Sequence, residues 1–570
     1  MKSRKLLAGF ALAAFIAAGA PQTIEAENSD AKKEPSAIRV TPPAPRFTDA
    51  ERQAELAKRR QQVAEKIGKN SMLVLFSAEP RIYTNDVDYV FRQENNLYYL
   101  TMLKQQGATL VLLPGNGGAM TEFLFLPRRN PQREAWDGKM YSVEEAQKIS
   151  GVKNVFLNEE FKQFLDAVKS KQPFVSASGA SISPAVENLY LLLPGSEKDS
   201  NGMREFRQES NFAKELQTGQ SYKIQNARPI FADLRHIKSP FELKILQHAI
   251  DISTEAHMRA MATGGRAKME YEVQAEMEYI FRKRNADYWG YPSIVGCGPN
   301  ATTLHYNESQ SPVKPGDLLL MDVGAEYEHY TADITRTFPI NGKFSKEQAD
   351  IYQIVYNAQE AVGQKTKPGV RFKELNDASD EVLKNGLARL GLITAPNGTL
   401  KLTSPNGQTI EFPQYRFWAF HGLGHWLGMN VHDVGDYNKP LAAGMVFTNE
   451  PGIYIRGDAF DYLPDTPETK EFLAKVRPVY ERYKNIGVRI EDDLLVTNSG
   501  VEWMSKALPR KLTEIESFIA RAAREIPATA AHQNFSPKST AFFGDESLFA
   551  PKSPFLWGEN RKPSSILTEY

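Results

Sequence analysis

Cysteine is nearly absent. Cys297 stands alone in 570 residues, so no intramolecular disulfide can form, whatever compartment the chain reaches. An excess of one charge is missing too: 69 Lys and Arg balance 69 Asp and Glu, for a formal net charge of zero. Such a chain has no field to steer nucleic acid, which argues against nucleic acid as a partner. Long hydrophobic runs are confined to one stretch, Leu6 to Ala18, which follows the basic residues Lys2, Arg4 and Lys5. It is short for a bilayer span and carries the flanks of an export signal, an uncleaved anchor being the alternative. Ala18, Gly19 and Ala20 suit cleavage, although Pro21 follows; cleavage after Ala26 is the other option. No cysteine follows the run, which excludes lipid attachment there. The expectation is an exported protein, periplasmic or secreted, with no membrane association once residues 1–26 are removed.

The length calls for two or three domains. Residues 27–50 are mixed in charge and hold Pro35, Pro42, Pro43 and Pro45, and read as a linker. Asp49 to Ile67 suits an amphipathic helix. Short apolar runs at Met72–Phe76, Leu97–Leu103, Thr109–Leu113 and Glu122–Leu126 look like strands, alternating with helical stretches such as Val143–Ile149. Residues 51–235 therefore read as an α/β domain. At Ser239-Pro240-Phe241-Glu242 a serine N-cap, a proline at the first helical position and a glutamate at the third open a new helix. From there to about 525, helices alternate with strand pairs as an α+β domain. Residues 526–570, rich in Pro, Ser, Phe and Lys, read as an irregular or disordered tail.

Three segments of this second domain place acids and imidazoles where apolar strands are expected. In the first, Leu318 to Gly324 holds Asp322 and Thr331 to Arg336 holds Asp333, with Glu326–Tyr330 as a turn. The two runs should pair as a hairpin, with both aspartates on neighbouring strands. In the second, three of the nine histidines, His421, His425 and His432, fall within twelve residues. In the third, Glu450 and Glu491 interrupt the apolar runs that begin at Val446 and Gly487. A buried carboxylate costs several kcal/mol unless paired or bound to metal. Asp322 and Asp333 alone could be two solvated acids; the whole set points to an acidic metal site. Hard oxygens with one imidazole suit Mn²⁺, with Zn²⁺, Co²⁺ and Fe²⁺ also fitting, and so many carboxylates suit two ions rather than one.

YPSIVGCGPNATTLHY (291–306), MDVGAEYEHYTADITRTFPI (321–340), HGLGHWLGMNVHDVG (421–435), TNEPGIYI (448–455) and GVRIEDD (487–493) resemble, in order, the motifs of the pita-bread metallopeptidases. The nearest branch is that of Xaa-Pro aminopeptidase (aminopeptidase P) and prolidase. DVDYVFRQENNLYYLTML (86–103) and REAWDG (133–138) look like its non-catalytic N-terminal domain. The resemblance implies an α+β pita-bread catalytic domain preceded by an α/β domain, and two divalent metal ions on Asp322, Asp333, His425, Glu450 and Glu491. It implies substrate-site roles for His305, His421 and His432, an arginine, Arg489, beside the last ligand, and a proton-carrying role for Glu450. Peptides with proline second would be the substrates and a homo-oligomer the working state. Prolidase activity and a catalytically inactive binding module are the alternatives. The insertion Gly457–Lys484 departs from the pattern, His329 is expected to be solvated, and His236, His248 and His257 carry no assignment.

Overall fold

The computed structural model describes residues 36–526, apart from 116–117, 177–180, 183–185, 197, 218–221, 404–408 and 462. The expected signal peptide, the first part of the linker and the tail beyond 526 lie outside the described residues. Helix α1 (Asp49–Ile67) starts at a reciprocal Thr48–Glu51 capping box. Around it come β1 (Ser71–Phe76), α2 (Asn95–Thr101), β2 (Thr109–Pro114), β3 (Met120–Leu126), β4 (Asn154–Leu157), β5 (Asn188–Leu191) and β6 (Lys223–Asn226). The strands form one sheet in the order β6-β5-β1-β2-β3-β4, antiparallel at β1-β2-β3 and parallel elsewhere. Alternation sends Leu73 and Leu75 of β1 into one core and Met72, Val74 and Phe76 into another, where Phe123, Phe125, Phe164 and Phe174 gather. Each such side chain contributes about 1.5–3 kcal/mol on burial.

Leu97–Leu103, expected as a strand, is instead the helix α2. A short apolar run buried on every side has no period to read, and here the ends decide. Glu94 accepts from the Leu97 amide, and Met102 closes the helix in the left-handed region. Arg59 and Arg60 of α1 donate to the carbonyls of Tyr99 and Leu100 at 3.0 and 2.9 Å, satisfying groups that a helix end leaves free.

The second domain begins with α3 (Pro240–Thr263), opened by the Ser239–Glu242 box, and α4 (Glu270–Lys283). Strands β7 (Tyr288–Trp289), β8 (Ile294–Cys297), β9 (Leu318–Asp322), β10 (Ala325–Tyr327), β11 (Tyr330–Thr331) and β12 (Thr335–Pro339) follow. The expected hairpin is broken in two. β9 pairs with β12, Asp322 facing Thr335, whereas β10 and β11 form a separate inner hairpin. Asp333 sits in the joint and not on a strand. His329, at φ 66° in the inner turn, is buried and stacked on Tyr98 at 3.8 Å, so it is not solvated.

The pattern then repeats. After α5 (Lys346–Lys365) and α6 (Phe372–Leu390) come β13 (Val446–Asn449), β14 (Gly452–Ile455), α7 (Pro467–Tyr483), β15 (Ile486–Arg489), β16 (Asp492–Val496) and β17 (Val501–Trp503). β13 pairs with β16 and β14 with β15, so Glu450 and Glu491 lie in a second joint between an outer and an inner ladder. The Gly457–Lys484 insertion holds α7 at the tip of the inner ladder. Among the described residues no helix is long and apolar enough to cross a membrane.

The two halves meet where β12 lies against the second joint. Glu491 N donates to Thr335 O at 3.1 Å, and Asp333 N to Asp493 Oδ2 at 3.2 Å. Arg336, fully buried, donates to Glu491 O at 2.6 Å, to Asp492 Oδ1 at 2.7 Å and to Pro509 O at 2.9 Å. Removing one member of a buried pair strands the other. Arg336→Met is expected to cost about 3–5 kcal/mol, read by guanidinium unfolding; a loss below about 1 kcal/mol, the worth of an exposed pair, would contradict this account of the seam.

Candidate metal centre

Both joints converge on one pocket. Close backbone approach allows this at two glycines: a Cβ on Gly324 would sit 1.8 Å from Ala332 O, and one on Gly424 2.1 Å from Thr448 O. The first contact draws Asp322 and Asp333 together. The second seats His425 beside β13, its amide donating to Thr448 Oγ1 at 3.0 Å. Ligand atoms of Asp333, His425 and Glu491 all lie within 4.8 Å of one another. His425 Nε2 is 3.3 Å from Asp333 Oδ2 and 3.5 Å from Glu450 Oε1. Asp322 joins through Tyr291, whose hydroxyl lies 2.6 Å from Asp322 Oδ1 and 2.5 Å from Asp333 Oδ1. One phenolic proton serves one of these carboxylates at a time.

The four acids and one imidazole fit a divalent cation on three observations. Glu491 is 1% exposed; its Oε2 accepts from Thr335 Oγ1 at 2.6 Å, but its Oε1 is buried without a hydrogen-bond partner. His425 Nδ1 lies 3.1 Å from Trp426 O, so Nδ1 holds a proton and Nε2, which faces two carboxylates, is the nitrogen where a metal would replace a proton. The acids also oppose one another. Burial first, then Asp322, pushes Asp333 up; burial, then Asp333 and Glu450, pushes Glu491 well above the carboxylate range. Burial and Asp333 lift Glu450 to about 7 despite the neighbouring His425. A divalent ion would remove this opposition.

Arg489 is the one guanidinium on the cluster among the described contacts. It donates to Asp322 Oδ2 at 2.6 Å, to Thr335 Oγ1 at 3.2 Å and to the Tyr454 hydroxyl at 2.8 Å. Tyr454 in turn lies 2.8 Å from His421 Nε2, while His421 Nδ1 faces Gly422 O at 2.8 Å. Both ring nitrogens of His421 are thus engaged, and burial followed by Arg489 holds it down to about 3. His432 packs its ring on His425 at 4.2 Å, and desolvation, then His425 and His305, hold it down to about 4. His432 and His305 are both exposed, and His305 is near enough to act on His432. The loop carrying His432 is held by the first domain: Arg92 donates to Met429 O at 2.7 Å, and Asn95 Nδ2 to Asn430 Oδ1 at 2.7 Å. Behind it, Asp433 is clamped by Arg235 at 2.5 Å.

Sequence reasoning did not single out Tyr291, Thr335, Tyr454 or Asp493. The first three are hydroxyls inside quoted motifs, but a hydroxyl near a carboxylate has no spacing signature. Asp493, buried with Oδ1 unpartnered, stands beside Glu491 and Asp492 in an acidic run that reads equally well as solvated.

A family model described as metallopeptidase family M24 matches residues 244–498, and one described as the aminopeptidase P N-terminal domain matches residues 56–175. An Xaa-Pro aminopeptidase of Haemophilus influenzae is 35% identical over 82% of this chain and 97% of its own. An Escherichia coli Xaa-Pro aminopeptidase is 31% identical over 83% of this chain and 98% of its own. The solved E. coli aminopeptidase P with the inhibitor Pro-Leu superposes with a TM-score of 0.68 at 30% identity, covering 85% of this chain and 100% of that one. The architecture is that of these enzymes, a pita-bread domain preceded by an α/β domain.

Chelation should expose the electrostatics. Burial alone would lower His425, but Asp333 and Glu450 outweigh it and raise the ring from 6.5 to about 9. The protonated ring therefore stabilises the metal-free fold fully below pH 6.5, and this contribution is lost as pH rises through 9. Glu450, raised from 4.5 to about 7, adds repulsion as it ionises, with the same sign. The melting temperature in chelator is expected to fall between pH 6.5 and 9, and its gap to the Mn²⁺-loaded protein to widen, since metal and proton compete for Nε2. Parallel curves in differential scanning fluorimetry would contradict this.

Proposed function

The chain belongs to the aminopeptidase P branch of metallopeptidase family M24, and on that premise we propose that it is an exported two-metal enzyme that hydrolyses the bond between an N-terminal residue and a following proline. It is a metalloaminopeptidase. The observation that carries the finer reading is the convergence of Asp322, Asp333, His425, Glu450 and Glu491 on one pocket, with a buried oxygen of Glu491 left without a partner. Xaa-Pro specificity is taken from the names of the relatives, and export from the basic and apolar residues 2–18. Four carboxylates with one imidazole would hold two ions, Mn²⁺ by the chemistry of the donors.

When bound, the ions would supply Lewis acidity and a water acidified toward neutrality. The chain's own residues do the rest. His432 and His305, exposed beside the ligands, face the scissile carbonyl and donate to the oxygen as it gains charge. Glu450 takes the proton from the attacking water on a carboxylate oxygen and returns it to the proline nitrogen as the C–N bond breaks. Arg489 holds Asp322 in place through a charge-assisted hydrogen bond. His421, with both nitrogens engaged, acts through Tyr454 and the placing of Glu450, from which its Nδ1 is 3.9 Å distant.

Asp333→Ala and Glu491→Ala are expected to lose bound metal and peptidase activity together. His432→Ala should keep its metal while kcat falls by about 10²–10³. Assays pair Xaa-Pro-Yaa-Zaa peptides with Xaa-Pro dipeptides under Mn²⁺. Full activity in either carboxylate variant would overturn the scheme, and cleavage of dipeptides alone would make the enzyme a prolidase.

A further inference from the structure

The joint that carries Glu450 and Glu491 lacks the backbone pairing of its counterpart. In the first half the gap between outer and inner ladders is spanned by Val323 N to Ile334 O and Ala332 N to Ala325 O, both at 3.1 Å. In the second half the outer ladder ends at Asn449 opposite Asp492, and the inner one starts at Gly452 opposite Arg489. Between them runs one long bond, Ile490 N to Pro451 O at 3.4 Å. The carbonyls of Asn449 and Ile490, each just before a ligand residue, turn instead to α5.

There they meet one side chain. Gln359 is fully buried, and its Nε2 lies 3.1 Å from Asn449 O, 3.1 Å from Ile490 O and 2.8 Å from Asp492 Oδ2. Its main-chain carbonyl accepts from Asn449 Nδ2 at 2.9 Å. The amide has one possible orientation: Arg510 Nη1 is 3.0 Å from its other terminal atom, and a guanidinium only donates, so that atom is the oxygen. Two amide protons are thus shared among three acceptors that belong to both arms of the joint.

We infer that Gln359 is a positioning residue for the metal centre: one buried amide that sets the spacing of Glu450 and Glu491, and through it the affinity for divalent cations. It touches neither the Glu450 nor the Glu491 carboxylate. The two glutamates repel each other and have little backbone pairing to resist that, so the restoring contact must come from outside the ladders. The inference rests on the metal-centre reading above.

The test is calorimetric titration of Mn²⁺ into chelator-stripped full-length protein. Gln359→Met keeps the volume and removes the amide. Ile354→Ala is the control, a core truncation on the same helix where Ile354 packs toward Gly386 of α6. Gln359→Met is expected to weaken Mn²⁺ binding by about 10–100-fold, the range for groups that orient ligands from behind. Ile354→Ala should lower the melting temperature and leave the isotherm unchanged. If Gln359→Met does not fold, Arg510→Met, which keeps the amide and removes its orienting donor, should weaken binding in the same direction. A wild-type isotherm in the folded Gln359 variant, or failing that in the Arg510 variant, overturns the inference. A wild-type protein that takes up no Mn²⁺ overturns the metal-centre reading, and this inference with it.

Discussion

Mutual repulsion among buried carboxylates governs this structure. Two unit charges about 4 Å apart interact by about 4 kcal/mol at an effective dielectric of 20, and four acids are gathered at the seam between two halves. The Arg489 guanidinium, the His425 ring and a few hydroxyls are the counterweights. Much of what surrounds the pocket holds acids where they would not stay unaided. Arg336 grips the backbone of Glu491, Thr335 caps one of its oxygens, and Tyr291 spans two aspartates. A fold that invests so many buried hydrogen bonds in keeping like charges together is arranged around a cation.

Both halves reach this end in the same way. Each has an outer ladder, an inner ladder and a joint between them where strand pairing lapses, and each brings two carboxylates to that break, Asp322 from the last paired residue of β9 and the other three from the joints themselves. A ligand on a paired strand would have its direction set by the pleat. In a joint its backbone is free to turn, and neighbouring groups choose the direction. The halves differ in what chooses: main-chain bonds in the first, a side-chain amide in the second. They differ also at the tip of the inner ladder, a tight turn at Glu328 and His329 in one and the α7 arm in the other.

Much of this was legible in the chain. The capping box at Ser239 announced a helix that forms where expected, because a cap is local chemistry. Acids set in apolar runs marked the two joints, but the break in each strand pair was invisible, since ladder register depends on partners distant in sequence. Leu97–Leu103 misled because full burial erases periodicity. His329 misled because a turn is usually wet, and here another domain covers it with Tyr98. Gln359 carried no signal at all: a glutamine on a helix reads as surface until the carbonyls it meets are known.

The stretch after Ser36, expected as a linker, lies along α3 instead: Thr41 donates to Glu255 from both its amide and its hydroxyl, and Phe47 stacks on Phe241. At its start the Ala37 amide donates to Glu525 at 2.8 Å, so the first and last parts of the described body are stapled together. Such a body is closed on itself. A short peptide could join those two points and new ends could be opened in an exposed loop, a circular permutation that leaves both joints intact.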